Sequence, residues 1–565
     1  MIKFLLFFFT SLLFAQEIPF TIYHTNDLHS HFDGVKYPNP LEGRESSVVR
    51  GGFARMATVV QQLRKEREAQ NEIVFGVDAG DFFAGTIFSA IGPSVQTEAF
   101  PEYEFLNAIN MDLITLGNHE FDPGNTGLEI MLSKVQKINP QASIVATNLF
   151  IKDPASKLNS FVGDDHLIKS YAIKTYKSGD STLKVGFLGI LGPDGCLVSR
   201  STREDVKFIG FEDEGSRVRW KELLLLLRKK VHMLKKDLGV DVVVLSMHGG
   251  GMESDHIAKE VAGINVIIAG HTHQEEFRTI NNVIISQTGS YGESLGLLNL
   301  KYDTTLKRVV LKDPQEKRLI SIDQKIPADP FWDKKIDHYR KEAYQLMGHG
   351  PDQAVKPVFK PLKDYVRARE LFNPMGELVT RALREQINTT LSDKKIDAYF
   401  TSMGLVRTSF LKGVDYNEAD IFEAVSIGFD ELKRPGTDIV SFYLSTDEFI
   451  RLINFLEVYS HFSNSFAPAI SPNVEYKVRW WGIPFLNRIH AITVNGTDIS
   501  EWKGLMHVAT NRFVYQNIST VESLSYGLVK MAPKDEKGGL LINPPTHQKE
   551  YVHLIQYLRA NSGKL

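Results

Sequence analysis

The chain reads as an α/β protein of two domains, and three observations predict that class. From 18 to about 305, short apolar β-like runs alternate with amphipathic helical stretches. Five of those runs end in side chains of metal-binding type. The length of 565 residues exceeds what one typical hydrophobic core supports, so a second domain is expected. Such alternation favours helices layered on a sheet. In an open α/β sheet the carboxyl ends of the strands line one crevice, where separate clusters can converge.

The elements follow in order. Lys3 precedes the apolar run FLLFFFTSLLF, then Ala15, Gln16 and Glu17. A basic start, a short apolar core and a small residue before a polar break describe a secretory signal peptide over 1–15. The run falls short of the ~20 residues of a membrane span. The C-terminal stretch KEYVHLIQYLRANSGKL is too polar for an anchor. An exported protein, periplasmic or extracellular, is expected, with no stable membrane anchor.

VRGGFARMATVVQQLRKEREAQ at 49–70 predicts a loop and a helix, and WKELLLLLRKKVHMLKKDLG at 220–239 another helix. VIISQTGSYGESLGLLNLKYD at 283–303 reads as strand, Gly-rich turn and strand. Between 327 and 350 a charged helical stretch bounded by prolines is the expected linker helix. It separates a catalytic domain, 17–326, from a substrate-binding domain, 351–565. The latter opens with a helix near 374–388. Another spans about 445–457, where Ser445 and Glu448 form a capping box before FIRLINFLE. IVSFYLS, VEYKVRWW and HAITVNG are its strand-like segments.

Composition narrows the function. A formal charge of −3 gives no case for nucleic acid as a partner. The 17 His outnumber the single Cys, so ligand chemistry is imidazole and carboxylate. Cys196 is expected to be a buried small apolar residue.

The ligand-rich clusters are NDLH at 26–29, AGD at 79–81, GNHE at 117–120, MHGG at 247–250 and GHTH at 270–273. Asp27 and His29, two apart in one loop, can reach one ion. Asp81 can bridge two cations, Asn118 offers an amide oxygen, and His248, His271 and His273 offer imidazole nitrogens. Mixed donors of this kind suit Zn, Mn, Fe or Co better than Ca or Mg. Two divalent cations against two carboxylates leave positive charge to match a phosphate dianion. Paired metals about 3.5–4 Å apart acidify a bridging water and clamp an in-line displacement. His119 is expected to face away from Asn118, with Asp122 orienting its imidazole for phosphoryl-charge stabilisation or leaving-group protonation. Asp78 is expected to be a hydrogen-bonding neighbour. His24, His31 and His256 are read as structural, and the glycines at 51–52 and 249–251 as tight-turn formers.

The strings HTNDLHSHF, RGGFAR, DAGDFFAGT, LITLGNHEFD, SMHGG, GINVIIAGHTH and QTGSYGESLG, covering about 24–295, resemble the calcineurin-like metallophosphoesterases. Within them the chain resembles the exported 5′-nucleotidase/UDP-sugar hydrolase family. The resemblance implies a four-layered α/β metallophosphoesterase domain, a linking helix and a C-terminal nucleotide-recognising domain. It implies one metal at Asp27, His29, Asp81 and His273, a second at Asp81, Asn118, His248 and His271, and His119 with Asp122 as catalytic pair.

The second half departs from the family. Where relatives have an NGGGIR-like turn this chain has TSMGLVR at 401–407, which keeps Arg407. The aromatic PFGN-like segment reads SIGF at 426–429, and no GGDG-like loop follows NRF at 511–513. Phe513 is the expected stacking residue, although a core role fits it equally. Arg369 or Arg367 is the expected phosphate contact. A two-sided aromatic clamp should be weaker or rebuilt.

The expected activity is dinuclear metal-dependent hydrolysis of phosphate monoesters, nucleoside 5′-monophosphates first, by in-line attack of metal-activated hydroxide. The alternatives are a 2′,3′-cyclic nucleotide phosphodiesterase, a UDP-sugar hydrolase, or a non-catalytic binding protein on the same scaffold.

Overall fold

The computed structural model describes residues 17–38, 47–138, 140–315, 318–350, 353, 355–367, 373–391, 394–461, 467–479, 481–484, 487–499, 502–525 and 527–565. The expected leader, 1–15, lies outside the described residues. Among them no helix is long and apolar enough to cross a membrane.

Period-two patterning with apolar residues on both faces builds the first half. In the strand Val242–His248, Val242 and Val244 join one buried cluster while Val243 and Leu245 join another. The first cluster lies between two sheets, with Phe20, Ile22, Phe75 and Val77 of one against Val185, Phe187, Val266 and Ile268 of the other. The second carries the helices Trp220–His232 and Gly251–Glu260 on the outer face through Leu223, Leu227, Val231 and Ile257. On the outer face of the other sheet sits the helix Phe53–Ala69. The result is helix, sheet, sheet, helix: four layers.

One sheet runs Arg308–Leu311, Ser294–Asp303, Glu17–Thr25, Ile73–Asp78, Met111–Ile114, Ser143–Val145 and Ile168–Lys169, with Leu319–Ser321 paired to its second strand. The other runs Glu275–Ile280, Val283–Thr288, Val266–Gly270, Val242–His248, Ser181–Leu191 and Ala172–Ser178. Glu17–Thr25 and Ile73–Asp78 pair in parallel, as do Val242–His248 and Val266–Gly270. Their carboxyl ends therefore share an edge, and Ser246 Oγ of one sheet donates to the Asp78 carbonyl of the other at 3.1 Å.

The helix Pro330–Leu346 follows, capped by Asp329, whose side chain accepts from the Phe331 and Trp332 amides. One face of it is buried through Trp332, Ile336, Tyr339, Ala343 and Tyr344. Lys335 and Tyr339 grip Glu104 of the first half, while Tyr344 donates to Glu418 of the second. This helix is thus packed on both halves, not strung between them.

A second sheet-centred unit occupies the rest: Pro468–Ile470, Ala398–Ser402, Leu505–Asn511, Asp438–Ser445 and Thr546–Lys549. The helix Thr446–Ser460 covers one face through Phe449, Leu452 and Ile453. The helices Pro374–Thr390 and Glu550–Asn561 are packed together beside the sheet. Ser445 and Glu448 form the reciprocal pair expected of them, Glu448 accepting from the Ser445 amide at 2.8 Å and Ser445 Oγ from the Glu448 amide at 3.3 Å.

Candidate metal centre

Six of the seven candidate ligands stand just past the end of a sheet strand, His248 is the last residue of another, and the chain turns sharply there. Asp27, His29, Asp81, His271 and His273 all hold positive φ, between 48° and 81°. Left-handed backbone is unfavourable for residues with a Cβ and gathers at functional sites. Here it aims side chains from separate loops at one volume.

Asp81 is the hub. Its Oδ2 lies 3.0 Å from His248 Nε2, 3.7 Å from His29 Nε2 and 4.0 Å from His119 Nε2. Its Oδ1 accepts from the His119 amide at 2.8 Å. A Cβ on Gly117 would stand 2.2 Å from that Oδ1, so only glycine lets the 117–119 loop approach the carboxylate. Asn118 Oδ1 is 3.1 Å from His248 Nε2. On the other side His29 Nε2 and His273 Nε2 are 3.0 Å apart, and Asp27 Oδ1 lies 3.5 Å from the latter. Three overlapping groups result: Asp27, His29 and His273; His29, Asp81 and His119; Asp81, His248 and His271.

Burial opposes ionisation of Asp81, but His248, His119 and His29 outweigh it and hold the carboxyl well below the ordinary range. Asp27 is fully buried, and burial pushes it up to about 6 despite His248 nearby. Buried carboxylates call for a compensating cation. The second nitrogens fit that reading. His248 Nδ1 is paired with the Ala79 carbonyl at 2.8 Å, and His271 Nε2 with Asp194 at 3.2 Å. A ligating imidazole ordinarily engages its far nitrogen in this way, which leaves His248 Nε2 and His271 Nδ1 available to a cation.

His119 and Asn118 do diverge, Asn118 toward His248 and His119 toward His29, whose ring is 5.0 Å away. The His119 ring is not turned from the centre. Its Nδ1 meets Asp122 Oδ2 at 2.6 Å. Burial lowers its pKa, but Asp122 and Asp81 more than offset this and raise it above the ordinary imidazole value.

Sequence reasoning missed three supporting residues. Asn26 donates to Asp27 Oδ2 and to the Gly289 carbonyl, both at 2.7 Å, and so fixes that carboxylate. Glu120 accepts from the amides of Asp81, Phe83 and Gly117, tying two ligand loops together. Asp194 follows the strand Ser181–Leu191 in the string LGPDG, the same strand-then-turn signal that marked the other clusters.

The residues read as structural are engaged elsewhere. His24 meets Ser286 at 2.9 Å, His31 stacks on Tyr291, and His256 packs edge-on to Trp220. Asp78 accepts from Thr25 and the Gly80 amide. Cys196 is buried. Gly51 and Gly52 take the positive φ of a turn, but Gly249, Gly250 and Gly251 do not. A Cβ on Gly249 would stand 2.5 Å from Glu253 Oε2 and 2.7 Å from Met247 Cε, so a larger residue there would push both side chains aside.

A cavity of about 430 Å³ opens on this centre. Asp81, Asn118, His119, His271 and His273 line it from the first half, and Arg367, Arg407 and Phe513 from the second. Arg407 Nη2 is 3.4 Å from His29 Nε2. Arg367 Nη2 donates to the Met403 carbonyl at 3.1 Å. Arg369 lies outside the described residues. Phe429 of SIGF is not in the cavity wall; its ring stacks on Phe83 at 5.7 Å.

A family profile described as calcineurin-like phosphoesterase matches residues 20–275. A Treponema pallidum protein named "Probable 5'-nucleotidase" is 25% identical over 500 residues, 76% of this chain and 77% of its own length. The Bos taurus 5'-nucleotidase is 29% identical over 58% of this chain, but that match takes in only 54% of the bovine protein. In fold, the 5'-nucleotidase precursor of Thermus thermophilus superposes with a TM-score of 0.72 at 18% identity, covering 96% of this chain and 97% of that one. A Thermus thermophilus sulfate thiohydrolase gives 0.66 at 15% identity, covering 96% and 94%. The chain therefore carries a calcineurin-like phosphoesterase domain of a hydrolase, and its relatives and two-domain fold are consistent with the 5′-nucleotidase family.

Proposed function

We propose that this chain hydrolyses phosphate monoesters at a two-cation centre, with 17–326 as catalytic unit, 327–350 as connecting helix and 351–565 as substrate-recognition unit. The observation that carries the reading is the convergence on Asp81: imidazoles from three other loops surround one carboxylate at the mouth of a cavity that Arg407 also faces. One cation is assigned to Asp27, His29, Asp81 and His273, the other to Asp81, Asn118, His248 and His271. When bound, two divalent ions supply an acidified water and neutralise phosphoryl charge.

The chain's own side chains complete the chemistry. Asp122 holds His119 through Nδ1, which presents Nε2 toward the cavity as a donor to the phosphoryl oxygens or the departing alkoxide. Arg407 and Arg367 line the same cavity, and a guanidinium suits a phosphate dianion. The names of the relatives favour nucleoside 5′-monophosphates, and Phe513 offers a base one aromatic face. Export of the mature protein is inferred from the leader-like residues 1–15.

Phosphate release from AMP, UMP and p-nitrophenyl phosphate, and chromatography of UDP-glucose and cyclic 2′,3′-AMP for the monoesters their hydrolysis would give, with and without added Zn or Mn, tests the reading. Metal-dependent cleavage of the monoesters is expected; inertness toward all five would leave a binding protein instead. Asp194 gives a second check. Asp194→Ala should weaken metal retention by about 10–100-fold through loss of the His271 partner, measured by chelator competition. Unchanged affinity would detach Asp194 from the centre.

A further inference from the structure

We propose that the segment 91–99 is a monovalent-cation site whose resident cation is the chain's own Lys134 ammonium, and that this tethered charge positions the loop of His29. The second half of the proposal rests on the two-cation reading above; the first stands without it. Lys134 belongs to the helix Gly124–Lys137, which begins just after the His119–Asp122 pair, and the residue is only 5% exposed. Around its Nζ stand the carbonyls of Ile91, Gly92, Ser94 and Ala99 at 2.9, 2.8, 2.9 and 3.0 Å. The Thr97 hydroxyl completes the shell at 3.0 Å. An ammonium carries three protons, so three acceptors would satisfy it as a donor. Five oxygens at nearly one distance form a coordination shell instead, as rings of backbone carbonyls do when they replace the water around K⁺. All are neutral, and they stand farther out than the ~2.3–2.6 Å of calcium ligands or the ~2.0–2.1 Å of magnesium ligands. Charge and radius both select a singly charged ion.

This segment joins two grips on one residue, Ser30, the neighbour of His29 in the chain. Before it, Thr86 caps the short helix Ile87–Ala90 and its Oγ1 donates to the Ser30 carbonyl at 2.8 Å. After it, Glu102 Oε1, in the helix Pro101–Ala108, accepts from Ser30 Oγ at 2.6 Å. The Ser30 amide donates to the Phe82 carbonyl at 3.0 Å, one residue past Asp81. Ser30 holds a φ of 55°, a conformation that its surroundings must enforce. The separation of Thr86 from Glu102 is set by the fold of the residues between them, and that fold closes on the ammonium. Carbonyl oxygens converging on one point repel each other unless a positive charge sits there. Lys134 is therefore a positioning residue, acting on His29 through Thr86, Glu102 and Ser30. It also ties the segment to the helix that follows Asp122, so two edges of the centre share one side chain.

Lys134→Ala in the full-length protein removes the ammonium and leaves its oxygen shell. In chloride salts of equal ionic strength, K⁺ or NH₄⁺ should raise the thermal midpoint of this variant above its value in tetramethylammonium, while the unaltered protein shows no such preference. Its affinity for Zn or Mn, measured by chelator competition, should fall by about 10-fold in tetramethylammonium, the lower end of the loss for an outer partner of a metal ligand. K⁺ or NH₄⁺ should restore it. Lys134→Met fills the space with an uncharged stem, so its metal affinity should fall and stay down in every salt. Affinity in the methionine variant equal to that of the unaltered protein overturns the positioning role. A loss in the alanine variant, of fold or of affinity, that no monovalent cation reverses overturns the cation site. Failure of the unaltered protein to bind Zn or Mn would instead overturn the two-cation reading, and the thermal midpoints would still decide the cation site.

Discussion

Asp81→Ala is expected to strip the protein of bound metal and reduce hydrolysis to background. Asp81 is the side chain on which two of the three ligand groups depend, those with His29 and His119 and with His248 and His271. Its removal leaves His248 and His29 facing each other across a buried space with no anion between them. Desolvation of a divalent ion that has lost its shared carboxylate then opposes the entry of any cation. Enzymic acceleration is on the order of 10⁶-fold or more, and in a two-metal phosphoesterase most of it depends on the ions. The loss should therefore be far larger than for any residue that only touches substrate. Metal content by plasma mass spectrometry and turnover of p-nitrophenyl phosphate should fall together. Two metals per chain in the purified variant would contradict the bridging assignment. Asp81→Asn is the companion variant, because it can still accept from the His119 amide yet lacks the charge. Metal loss there as well would assign the effect to charge, not to a collapsed loop.

The layers and the candidate ligands were legible in the sequence because strand periodicity dictates where each apolar run stops. Val242 to Leu245 alternate between two buried clusters, and the next turn must carry the polar residues out of the sheet. Beyond the strand end that logic fails. In loops with left-handed residues no period says which neighbour points inward. Asn26 and Glu120 sat inside recognised strings without showing that they hold Asp27 and the 79–83 loop. Asp194 carried the right signal, but Gly-Pro-Asp also opens an ordinary helix, as it does at Pro193–Val198. The cavity was illegible for another reason. FIRLINFLE has the same apolar spacing whether its face meets a core or borders open space, and the residues meeting it lie on strands far away in number. The altered clamp was readable at SIGF, whereas the partner that captured Phe429 was not.

His119→Ala should separate chemistry from metal binding. The contact of this residue with Asp81 runs through its backbone amide, which alanine retains, so the hub carboxylate stays oriented and the metal content should stay near that of the unaltered protein. What disappears is the imidazole, with Nε2 4.0 Å from Asp81 Oδ2 and Nδ1 held by Asp122. Loss of a positioned acid or charge stabiliser costs about 10²–10⁴-fold in rate. The size of the deficit should depend on the leaving group, and this distinguishes the two roles. If His119 protonates the departing oxygen, alkyl phosphates should lose far more than p-nitrophenyl phosphate, whose phenolate departs without a proton. If it stabilises phosphoryl charge, both should fall alike. Asp122→Asn should show the same pattern to a smaller degree, since it keeps the ring near but loses the carboxylate that sets its tautomer. Equal turnover by His119→Ala and the unaltered protein, on both kinds of ester, would remove the residue from the mechanism.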